Sequence, residues 1–445
     1  MTAPLTGTRV IDFTEYIAGP YATMMLADMG ADVVKVERPD GDAWRHTAPI
    51  APYESRVFLG VNRGKRSISL DLGRPEAQDI ITRLVREADV VVVNYRPGVA
   101  ERLSLSYETL SVLNPSLIYC ENTAFGTEGP YAGRPGFDIL SQATTGIIAY
   151  ENKIEHGTPT FIATLAVADL STGMYMAFGI VNALYARLQT GKGQRIDTSL
   201  FASGLAVQYK PLLSVEDVDA PVREGFLGEL AERRNDGLTY SEANHLRNQY
   251  IHGRGRNNYY RVYESRDSLV AVACLTNRQR RALRDVLAID DETVEGLTYD
   301  WFSEEVRRAH RETTETLEQR FRERTTGEWI TVLDAVDVPC APANFPEEMF
   351  NHPHVLANDL IARYEHPVVG PLKMPRHPAR LSETPVVEPA PPPVLGQHSH
   401  EIIQGLGYPE PEIERLFETG VLWTRERRMA MDQAAKPTNA TKGAS

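Results

Sequence analysis

The feature that most constrains the fold is an alternation of short apolar strands with helical segments along the first part of the chain. Val90 to Val93 is an unbroken run of valine, which is typical of a strand covered on both faces of a sheet. The residues before it, Pro75 to Ala88, place their apolar side chains at helical spacing. Strands that alternate with helices in this way predict a parallel sheet of the doubly wound α/β type. Further strands are expected at Val10 to Phe13, Ala31 to Glu37, Ser67 to Leu72, Leu117 to Asn122 and Ile196 to Leu200, and helices at Gly19 to Met29 and Leu170 to Leu188.

Changes in composition and in hydrophobic periodicity after this part of the chain predict the domain boundaries. We expect residues 1–213 to form a large domain and the charged, weakly periodic stretch 214–256 to be a linker or covering loop. Residues 257–335 begin with a β-hairpin pattern and continue with helical segments, which predicts a smaller α+β domain. Residues 336–425 are rich in proline, and 426–445 have little to bury, so we expect that last stretch to be a mobile tail. Helices are expected at Asn277 to Leu287, Thr314 to Arg324, Glu401 to Leu406 and Pro411 to Glu418.

Charge and composition exclude several classes of protein. The net charge of −13 disfavours a surface that binds nucleic acid or an anionic membrane. The three cysteines have no CxxC spacing, which indicates a reducing compartment and disfavours a disulfide framework. The first residues lack a basic stretch leading into an apolar run, so we expect no signal peptide and a cytoplasmic protein. Leu165 to Ala186 is apolar enough to suggest a membrane helix, but Asp169 within it favours a buried helix of a soluble protein.

Several common catalytic motifs are missing from the sequence. A dinucleotide-binding oxidoreductase needs GxGxxG between the first strand and helix, where this chain has Ala18-Gly19-Pro20-Tyr21. There is no GxxxxGK[ST] phosphate loop, no GxSxG and no HExxH. His352 and His354 are close enough to suggest a metal, but they flank Pro353. A surface loop is the favoured interpretation of that pair, and we expect no metal site.

Asp169 is the most interesting single residue, since it precedes the longest predicted helix in the run Ala168 to Gly173. One interpretation is a helix N-cap, in which the carboxylate accepts hydrogen bonds from free backbone N–H groups. The other is that the helix N-terminus keeps the carboxylate ionised and positioned, as a nucleophile toward an activated acyl group. On this residue alone, capping is the favoured interpretation.

Basic residues gather where the predicted strands end. Arg38 follows one strand, Arg96 and Arg102 follow the valine strand, and the stretch between Glu54 and Asp71 holds only basic charges. Ligands of open α/β sheets bind at the carboxyl ends of the strands, so these cations suit a ligand that carries phosphates. Solvated surface charge explains them equally well. The basic residues of that stretch are Arg56, Arg63, Lys65 and Arg66.

A series of segments, in order from about Leu5 to Gly407, resembles the class III CoA-transferases. This family includes formyl-CoA transferase, carnitine CoA-transferase and α-methylacyl-CoA racemase. The most recognisable segment is Leu26 to Pro39. The other matching segments are Leu5 to Phe13 with Ala18 to Pro20, Gly41-Asp42 with Arg45, Asn62 to Ile68, Asn94 to Gly98 with Arg102, Asp169 to Gly173, Thr190 to Gln194 and Leu395 to His398.

The resemblance implies a Rossmann-like large domain, a smaller domain and a C-terminal segment that returns to the large one. It also implies an interlocked homodimer in which each chain threads through the other. The family's catalytic aspartate falls on Asp169, and coenzyme A is implied as substrate and product, with no metal. The implied contacts to CoA are Ala18, Arg38, Leu70, Asp71, Leu72, Asn94, Tyr95 and Arg102, with Arg134 a weaker candidate for a phosphate contact.

The implied activity is transfer of CoA from an acyl-CoA thioester to a carboxylic acid through a covalent intermediate on Asp169. The expected partners are the acyl-CoA, the acid and a second copy, without nucleic acid or membrane. Glu15-Tyr16-Ile17 stand where formyl-CoA transferase-like members have His and Gln, which disfavours an oxalate-like pocket. Phe137 stands where the racemase branch has histidine, so racemase or isomerase chemistry at the α-carbon is a less favoured alternative. A non-catalytic CoA-binding protein is another.

Two assignments concern the region around the predicted linker. Gly253 and Gly255 are candidates for a mobile cover over the site. Residues 215–256 are candidates for shaping the acyl pocket, with Tyr259, Tyr260 and Arg261. Packing of the hairpin is the commoner role for these last three.

Overall fold

The computed structural model describes residues 2–250, 257–291, 303–386 and 388–435. Its strands are β1 (Arg9–Asp12), β2 (Asp32–Glu37), β3 (Pro49–Ala51), β4 (Glu54–Ser55), β5 (Lys65–Leu70), β6 (Val90–Val93), β7 (Ile118–Thr123), β8 (Ile154–Glu155), β9 (Thr158–Pro159), β10 (Gln194–Ser199), β11 (Tyr260–Glu264), β12 (Leu269–Ala273), β13 (Cys340–Pro342), β14 (Ile361–His366), β15 (Gly370–Pro375) and β16 (Leu422–Trp423).

The α-helices are α1 (Ala18–Asp28), α2 (Arg56–Leu59), α3 (Pro75–Arg86), α4 (Val99–Arg102), α5 (Tyr107–Leu113), α6 (Asp138–Thr144), α7 (Ile147–Glu151), α8 (Val167–Thr190), α9 (Leu200–Ala206), α10 (Glu216–Asn235), α11 (Tyr240–Tyr250), α12 (Asn277–Leu287), α13 (Glu304–Phe321), α14 (Thr326–Asp334), α15 (Pro353–Ala357), α16 (Ser399–Gly405), α17 (Glu410–Glu418) and α18 (Arg425–Ala434). Among the described residues, short 3₁₀ helices lie at Ala43–His46 and Pro346–Asn351.

The main sheet confirms the predicted α/β architecture. Its seven strands run in the order β10-β7-β6-β1-β2-β5-β16. The pairs from β10 to β5 are all parallel, and β16 joins β5 antiparallel, with Leu422 opposite Leu70. Chain order reverses direction across the sheet because β1 lies in the middle, which is the mark of a doubly wound sheet.

The valine strand β6 shows why a continuous apolar run was informative. Val91 and Val93 belong to one hydrophobic core, which α3, α5, α16 and α17 cover. Val90 and Val92 belong to the core on the opposite face, which α1 and α8 cover. All four side chains are fully buried, so β6 has no face that reaches water.

Helix α8 is long and apolar enough, by length and composition, to cross a membrane. Instead it packs against α1 and against strands β7 and β10 of the main sheet. Met176, Ile180 and Leu184 bury their side chains in the core that it shares with α1. The buried side of this helix agrees with the predicted core helix.

The chain divides into two compact units. The first contains Met1–Glu155, Pro159–Leu213 and Asn358–Ser445, and the second contains His156–Thr158 and Ser214–Ala357. The predicted domain boundaries remain predictions, and so does the return of a C-terminal segment to a large domain.

The second unit has its own sheet and core. Strands β11, β12 and β13 form an antiparallel sheet in that order, which contains the predicted hairpin. Helices α12, α13 and α14 supply Leu283, Phe321 and Trp329 to a core on this sheet. Helix α12 has the predicted bounds, whereas α13 begins ten residues before the expected Thr314.

Two expectations about irregular segments are wrong. The stretch 214–256 was expected to be a linker or covering loop, but α10 and α11 occupy most of it. The acids in the first turn of α10 and Arg233 and Arg234 in its last turn suit the helix dipole, a signal that weak apolar periodicity obscured. The expected tail 426–445 begins instead as helix α18, capped by Thr424. Residues 436–445 lie outside the described part of the chain.

Candidate active site

The carboxyl ends of β1, β2 and β6 meet at one edge of the main sheet, the edge where open α/β sheets bind ligands. A small cavity lies among the loops that follow these strands. Arg38, Leu72 and Tyr95, three of the predicted CoA contacts, line this cavity together with Glu15. The structure therefore brings together residues from separate segments of the sequence.

Asn94 fixes the loop that leads into α1. Its side-chain Nδ2 donates to the carbonyl oxygen of Glu15 at 2.6 Å, and the backbone N–H of Glu15 donates to Asn94 Oδ1 at 2.9 Å. The carboxylate of Glu15 in turn pairs with Arg38 at 3.2 Å. Burial raises the pKa of Glu15. The guanidinium of Arg38 is about half exposed and is the accessible cation of this group.

The other predicted contacts lie outside this cavity. Leu70 is fully buried in the core, opposite Leu422. Asp71 follows it and accepts a hydrogen bond from the backbone N–H of Gly73 at 3.0 Å. Arg102 and Arg134 are exposed, and the guanidinium of Arg134 stacks over the ring of Tyr131 at 4.2 Å.

The basic stretch before Asp71 has a different role from the one considered for it. Lys65 is buried and its Nζ donates to Asp12 at 3.0 Å, while Arg63 forms two hydrogen bonds to Asp28. Arg66 pairs with Asp32 at 2.7 Å. These cations neutralise acids within the fold, which accounts for their charges without a phosphate ligand, and the buried Lys65 has no surface to offer one. The fourth basic residue of the stretch, Arg56, is exposed at the start of α2.

The first turns of α1 and α8 lie against each other. Ala18 opens α1 and is buried together with Ala168 and Leu200. Gly173 makes the approach possible, because a Cβ at that position would lie 2.7 Å from the carbonyl oxygen of Ala18. Ala18 and Asp169, predicted from distant segments, therefore lie at the same junction.

Asp169 is the third residue of α8, which begins at Val167. The expectation that it precedes the helix is therefore wrong, and so is the capping interpretation. The backbone N–H groups of Ala168 and Asp169 donate instead to Oδ1 of Asp138, at 2.8 and 3.2 Å. A second carboxylate takes the place at the helix terminus that the sequence suggested for Asp169.

The electrostatics of Asp169 also differ from the expectation of a carboxylate that the helix keeps ionised. Burial, with a contribution from the charge of Asp138, raises the pKa of Asp169 to about 7. Among the hydrogen bonds of the described residues, none goes to its carboxylate oxygens, so its charge receives little compensation from the protein. Such a carboxylate is basic and weakly solvated, and both properties favour nucleophilic attack.

The sequence analysis predicted no role at this site for Gln142 or Asp138, which both lie beside Asp169 or its hydrogen-bond partners. Gln142 is fully buried, and its Nε2 donates to Asp138 Oδ2 at 2.5 Å and to the carbonyl oxygen of Ile162 at 3.1 Å. The spacing of four residues between Asp138 and Gln142 on one helical segment was the available signal.

Residues of the second unit that were considered for the site have local roles. Tyr259 is buried and donates to Asp291 at 2.7 Å, and Arg261 pairs with Glu318 at 2.7 Å. Tyr260 is exposed. Gly253 and Gly255 lie outside the described residues. No group of three potential metal ligands occurs in the part of the chain that the structure describes.

A comparison with known families adds an independent observation. The sequence profile of CoA-transferase family III matches residues 5–399, almost the whole chain. The chain belongs to CoA-transferase family III. It is therefore an enzyme of acyl-CoA metabolism, and the alternative of a non-catalytic CoA-binding protein is wrong.

Curated relatives of this family III CoA-transferase match along nearly their full length. Succinyl-CoA:glutarate CoA-transferase of Mus musculus is 32% identical and covers 96% of this chain and 92% of its own. Succinate–glutarate CoA-transferase of Agrobacterium fabrum is 34% identical, with 91% and 96% covered. Succinyl-CoA:mesaconate CoA-transferase of Haloarcula marismortui is 32% identical, with 90% and 95% covered.

Solved structures resemble the CoA-transferase in fold. A CaiB/BaiF family protein from Brucella suis superposes with a TM-score of 0.70 at 30% identity, and 91% of this chain and all of that one are covered. Rv3272 from Mycobacterium tuberculosis superposes with a TM-score of 0.69 at 26% identity, with 89% and 98% covered. The mixed α/β fold with its large, mostly parallel sheet is thus shared with that group.

Proposed function

We propose that this enzyme moves CoA from an acyl-CoA thioester to a carboxylic acid through a covalent intermediate on Asp169. The observation that carries the proposal is the position of this carboxylate. It is partly buried at the junction of α1 and α8, it has no hydrogen-bond donor among the described residues, and its pKa is raised to about 7. An acid tuned in this way is half ionised near neutral pH and strongly nucleophilic when ionised.

The chemistry follows from that nucleophile in two exchanges. A carboxylate oxygen of Asp169 attacks the thioester carbonyl, the C–S bond breaks, and an acyl–aspartyl anhydride and CoA thiolate result. The thiolate attacks the aspartyl carbonyl, which releases the donor acid and leaves an aspartyl-CoA thioester. The acceptor carboxylate attacks this thioester and expels the thiolate again. The thiolate then attacks the acceptor's carbonyl, which forms the new acyl-CoA and regenerates Asp169.

This relay conserves the energy of the thioester, so the transfer needs neither ATP nor a metal ion. It requires that water is kept from the anhydride, since hydrolysis would dissipate that energy. The burial of Asp169 supports this requirement.

The CoA contacts remain proposals of the same kind. Arg38, Leu72 and Tyr95 line the cavity at the sheet edge, and Ala18 lies beside the start of α8, which supports a path of CoA between them. Asn94 contributes by holding the loop before α1. Arg102 and Arg134 are exposed and accessible to phosphate groups. Leu70 and Asp71 are proposed to contribute through backbone groups, as Leu70 has no exposed side-chain surface.

The relatives suggest a substrate class. Their names pair succinyl-CoA with glutarate or mesaconate, so we propose succinyl-CoA as donor and a small dicarboxylic acid as acceptor. An oxalate-like pocket stays disfavoured, because Glu15, Tyr16 and Ile17 differ from the His and Gln of formyl-CoA transferase-like members. Incubation of succinyl-CoA with a panel of free acids, read by mass spectrometry, ranks the acceptors. Exclusive use of monocarboxylic acids would contradict the proposed class.

Racemisation at the α-carbon is the remaining alternative. Phe137 stands at the position of the racemase histidine, so the site lacks that histidine as the second base of a two-base proton exchange. In deuterium oxide, transfer gives acyl-CoA without deuterium at the α-carbon. Wash-in of deuterium without exchange of CoA between acids would support the racemase instead.

We also propose a cytoplasmic homodimer with interlocked chains and a Rossmann-like CoA-binding domain. The exposed side of α8 supports association, since Phe178, Tyr185 and Leu188 keep 70%, 63% and 83% of their surface accessible in the single chain. Light scattering of the purified enzyme tests the dimer, and a monomer at micromolar concentration would contradict it.

The decisive experiment on the mechanism replaces the nucleophile. Asp169→Ala and Asp169→Asn should abolish CoA exchange, a loss of at least about 1000-fold in kcat, while CoA binding stays largely intact. Wild-type enzyme incubated with acyl-CoA and then hydroxylamine should yield a hydroxamate at Asp169, found by peptide mass spectrometry. The matched control is Asp197→Asn, which removes an exposed carboxylate from β10. Full turnover by Asp169→Ala would end the proposal.

A further inference from the structure

The start of α8 is held by a residue of another helix. Asp138 opens α6, and its Oδ1 accepts the backbone N–H groups of Ala168 and Asp169. These belong to the first N–H groups of α8, which have no partner within their own helix. The bond to the Asp169 N–H fixes the backbone of the nucleophile itself.

Gln142 extends this contact to a third segment. Its Oε1 accepts the backbone N–H of Ile162 at 2.9 Å, and its Nε2 donates to both Asp138 and the carbonyl oxygen of Ile162. The side chain is fully buried, so the Gln142 end of each of these bonds is shielded from water. The segment before α8, the first turn of α8 and helix α6 are therefore joined by two side chains.

We propose that Asp138 and Gln142 are positioning residues for the transfer reaction, which orient Asp169 and reserve the end of α8 so that the nucleophile stays unpaired. The inference rests on the proposed role of Asp169. Had the helix terminus bound Asp169, as the sequence suggested, its charge would be stabilised and its reactivity toward a thioester reduced. Because Asp138 accepts those N–H groups instead, helix α8 holds the backbone of Asp169 in place without neutralising its carboxylate.

Asp138 is also the charged group that acts on Asp169. The elements packed against the start of α8 are α1, α6 and α9, and α8 rests on β7 and β10. Helix α6 carries no titratable group except Asp138, and α9 carries none. The titratable groups on α1 are Tyr21 and Asp28, and Asp28 is paired with Arg63. Those on β7 and β10 are Tyr119, Cys120, Glu121, Arg195 and Asp197. Arg195 pairs with both Glu121 and Asp197.

Two variants separate orientation from charge. Asp138→Asn retains an oxygen for the two N–H groups but removes the charge and the acceptor of Gln142 Nε2, because Nδ2 takes the place of Oδ2. The loss of charge lowers the pKa of Asp169 and moves the acidic limb of kcat/KM down by about one pH unit, a shift that loss of the Gln142 bond alone should not produce. Gln142→Met removes the bonds to Asp138 and Ile162 at constant charge, so kcat falls about 100-fold without displacement of that limb. KM for the acyl-CoA should change by less than about threefold in both variants.

Controls keep the outcome interpretable. Glu151→Gln removes a carboxylate from the end of α7, where it pairs with Lys153, and should leave both the rate and the limb as in the wild type. Thermal unfolding of each variant confirms that it is folded at the assay temperature. Wild-type-like kcat in Gln142→Met, or an unmoved limb in Asp138→Asn, overturns the inference. Neither result contradicts the proposed function, which is tested separately by hydroxylamine trapping of the intermediate at Asp169 of the wild-type enzyme.

Discussion

Asp169 combines burial with a like charge nearby, and this combination has a consequence for pH dependence. Because its pKa is raised to about 7, the carboxylate is mostly protonated below that pH and mostly ionised above it. In the proposed mechanism the anion is the nucleophile, so kcat/KM for the acyl-CoA should rise with pH up to about 7 and level off above it. Below the midpoint we expect a fall of about tenfold for each pH unit.

Initial rates between pH 5 and pH 9 measure this profile, with intrinsic fluorescence at each pH as a check on folding. An acidic limb below pH 5 would mean that Asp169 titrates like an ordinary carboxylate, contrary to the structure. The Asp197→Asn variant should give the wild-type profile, because that side chain is exposed and paired with Arg195.

The sequence predicted individual residues unevenly, for a physical reason. Asp169, Ala18, Arg38, Leu72 and Tyr95 were predicted as site residues because the family resemblance implied them, and Arg38, Leu72 and Tyr95 line one cavity. Their positions relative to a second carboxylate were not predictable, since hydrogen bonds between α6 and α8 join residues about thirty positions apart. The same limit applies to the basic stretch, for which the sequence left phosphate contacts and solvated surface charge equally open, whereas the structure pairs Arg63 with Asp28 and Lys65 with Asp12.

At the scale of elements, the contact of α1 with α8 depends on a single glycine. Gly173 faces the Ala18 carbonyl oxygen, and a Cβ there would also lie 3.0 Å from the ring of Tyr21. Gly173→Ala should therefore force the helices apart, with a loss of about 1–3 kcal/mol in the free energy of unfolding. Since Ala18 and Asp169 share this junction, kcat should fall as well.

The matched control is Gly228→Ala on α10, where a new Cβ meets nothing within 4 Å. Alanine is the better helix former, so this variant should be unchanged or up to about 1 kcal/mol more stable. Urea unfolding compares the two substitutions directly. Equal stability of Gly173→Ala and the wild type would show that the helices have room to adjust.

Regular elements with strong patterns were predictable, and those with weak patterns were not. The valine run correctly predicted strand β6, and the helical spacing correctly predicted helix α3, because each pattern reflects burial. Helices α10 and α11 were missed because each buries one leucine, Leu230 or Leu246, and leaves most of its surface polar. Periodicity reports burial, so a helix that buries little gives little signal.

At the scale of the whole molecule, the main sheet is completed by a strand from near the end of the chain. Leu422 of β16 is fully buried against Leu70 and joins the same core as α3, α16 and α17. Leu422→Ala should cost about 2–5 kcal/mol of unfolding free energy, because it leaves a cavity in that core. Met431 on α18 is exposed, so Met431→Ala should stay within about 0.5 kcal/mol of the wild type.

Urea midpoints at constant slope measure both variants. A small effect of Leu422→Ala would mean that the edge of the sheet does not depend on β16. The antiparallel direction of this strand was beyond the sequence, since a two-residue strand has no periodicity to detect.

The pairing of β5 with β16 also bears on how the polypeptide is made. During synthesis β5 leaves the ribosome early, whereas its neighbour β16 emerges only after all of Ser214–Ala357 has left the exit tunnel. The intervening unit, with its own sheet and core, is therefore free to fold before the large sheet can close. Until β16 has emerged, the edge of β5 remains open, and an open strand edge exposes the nascent chain to aggregation during that interval.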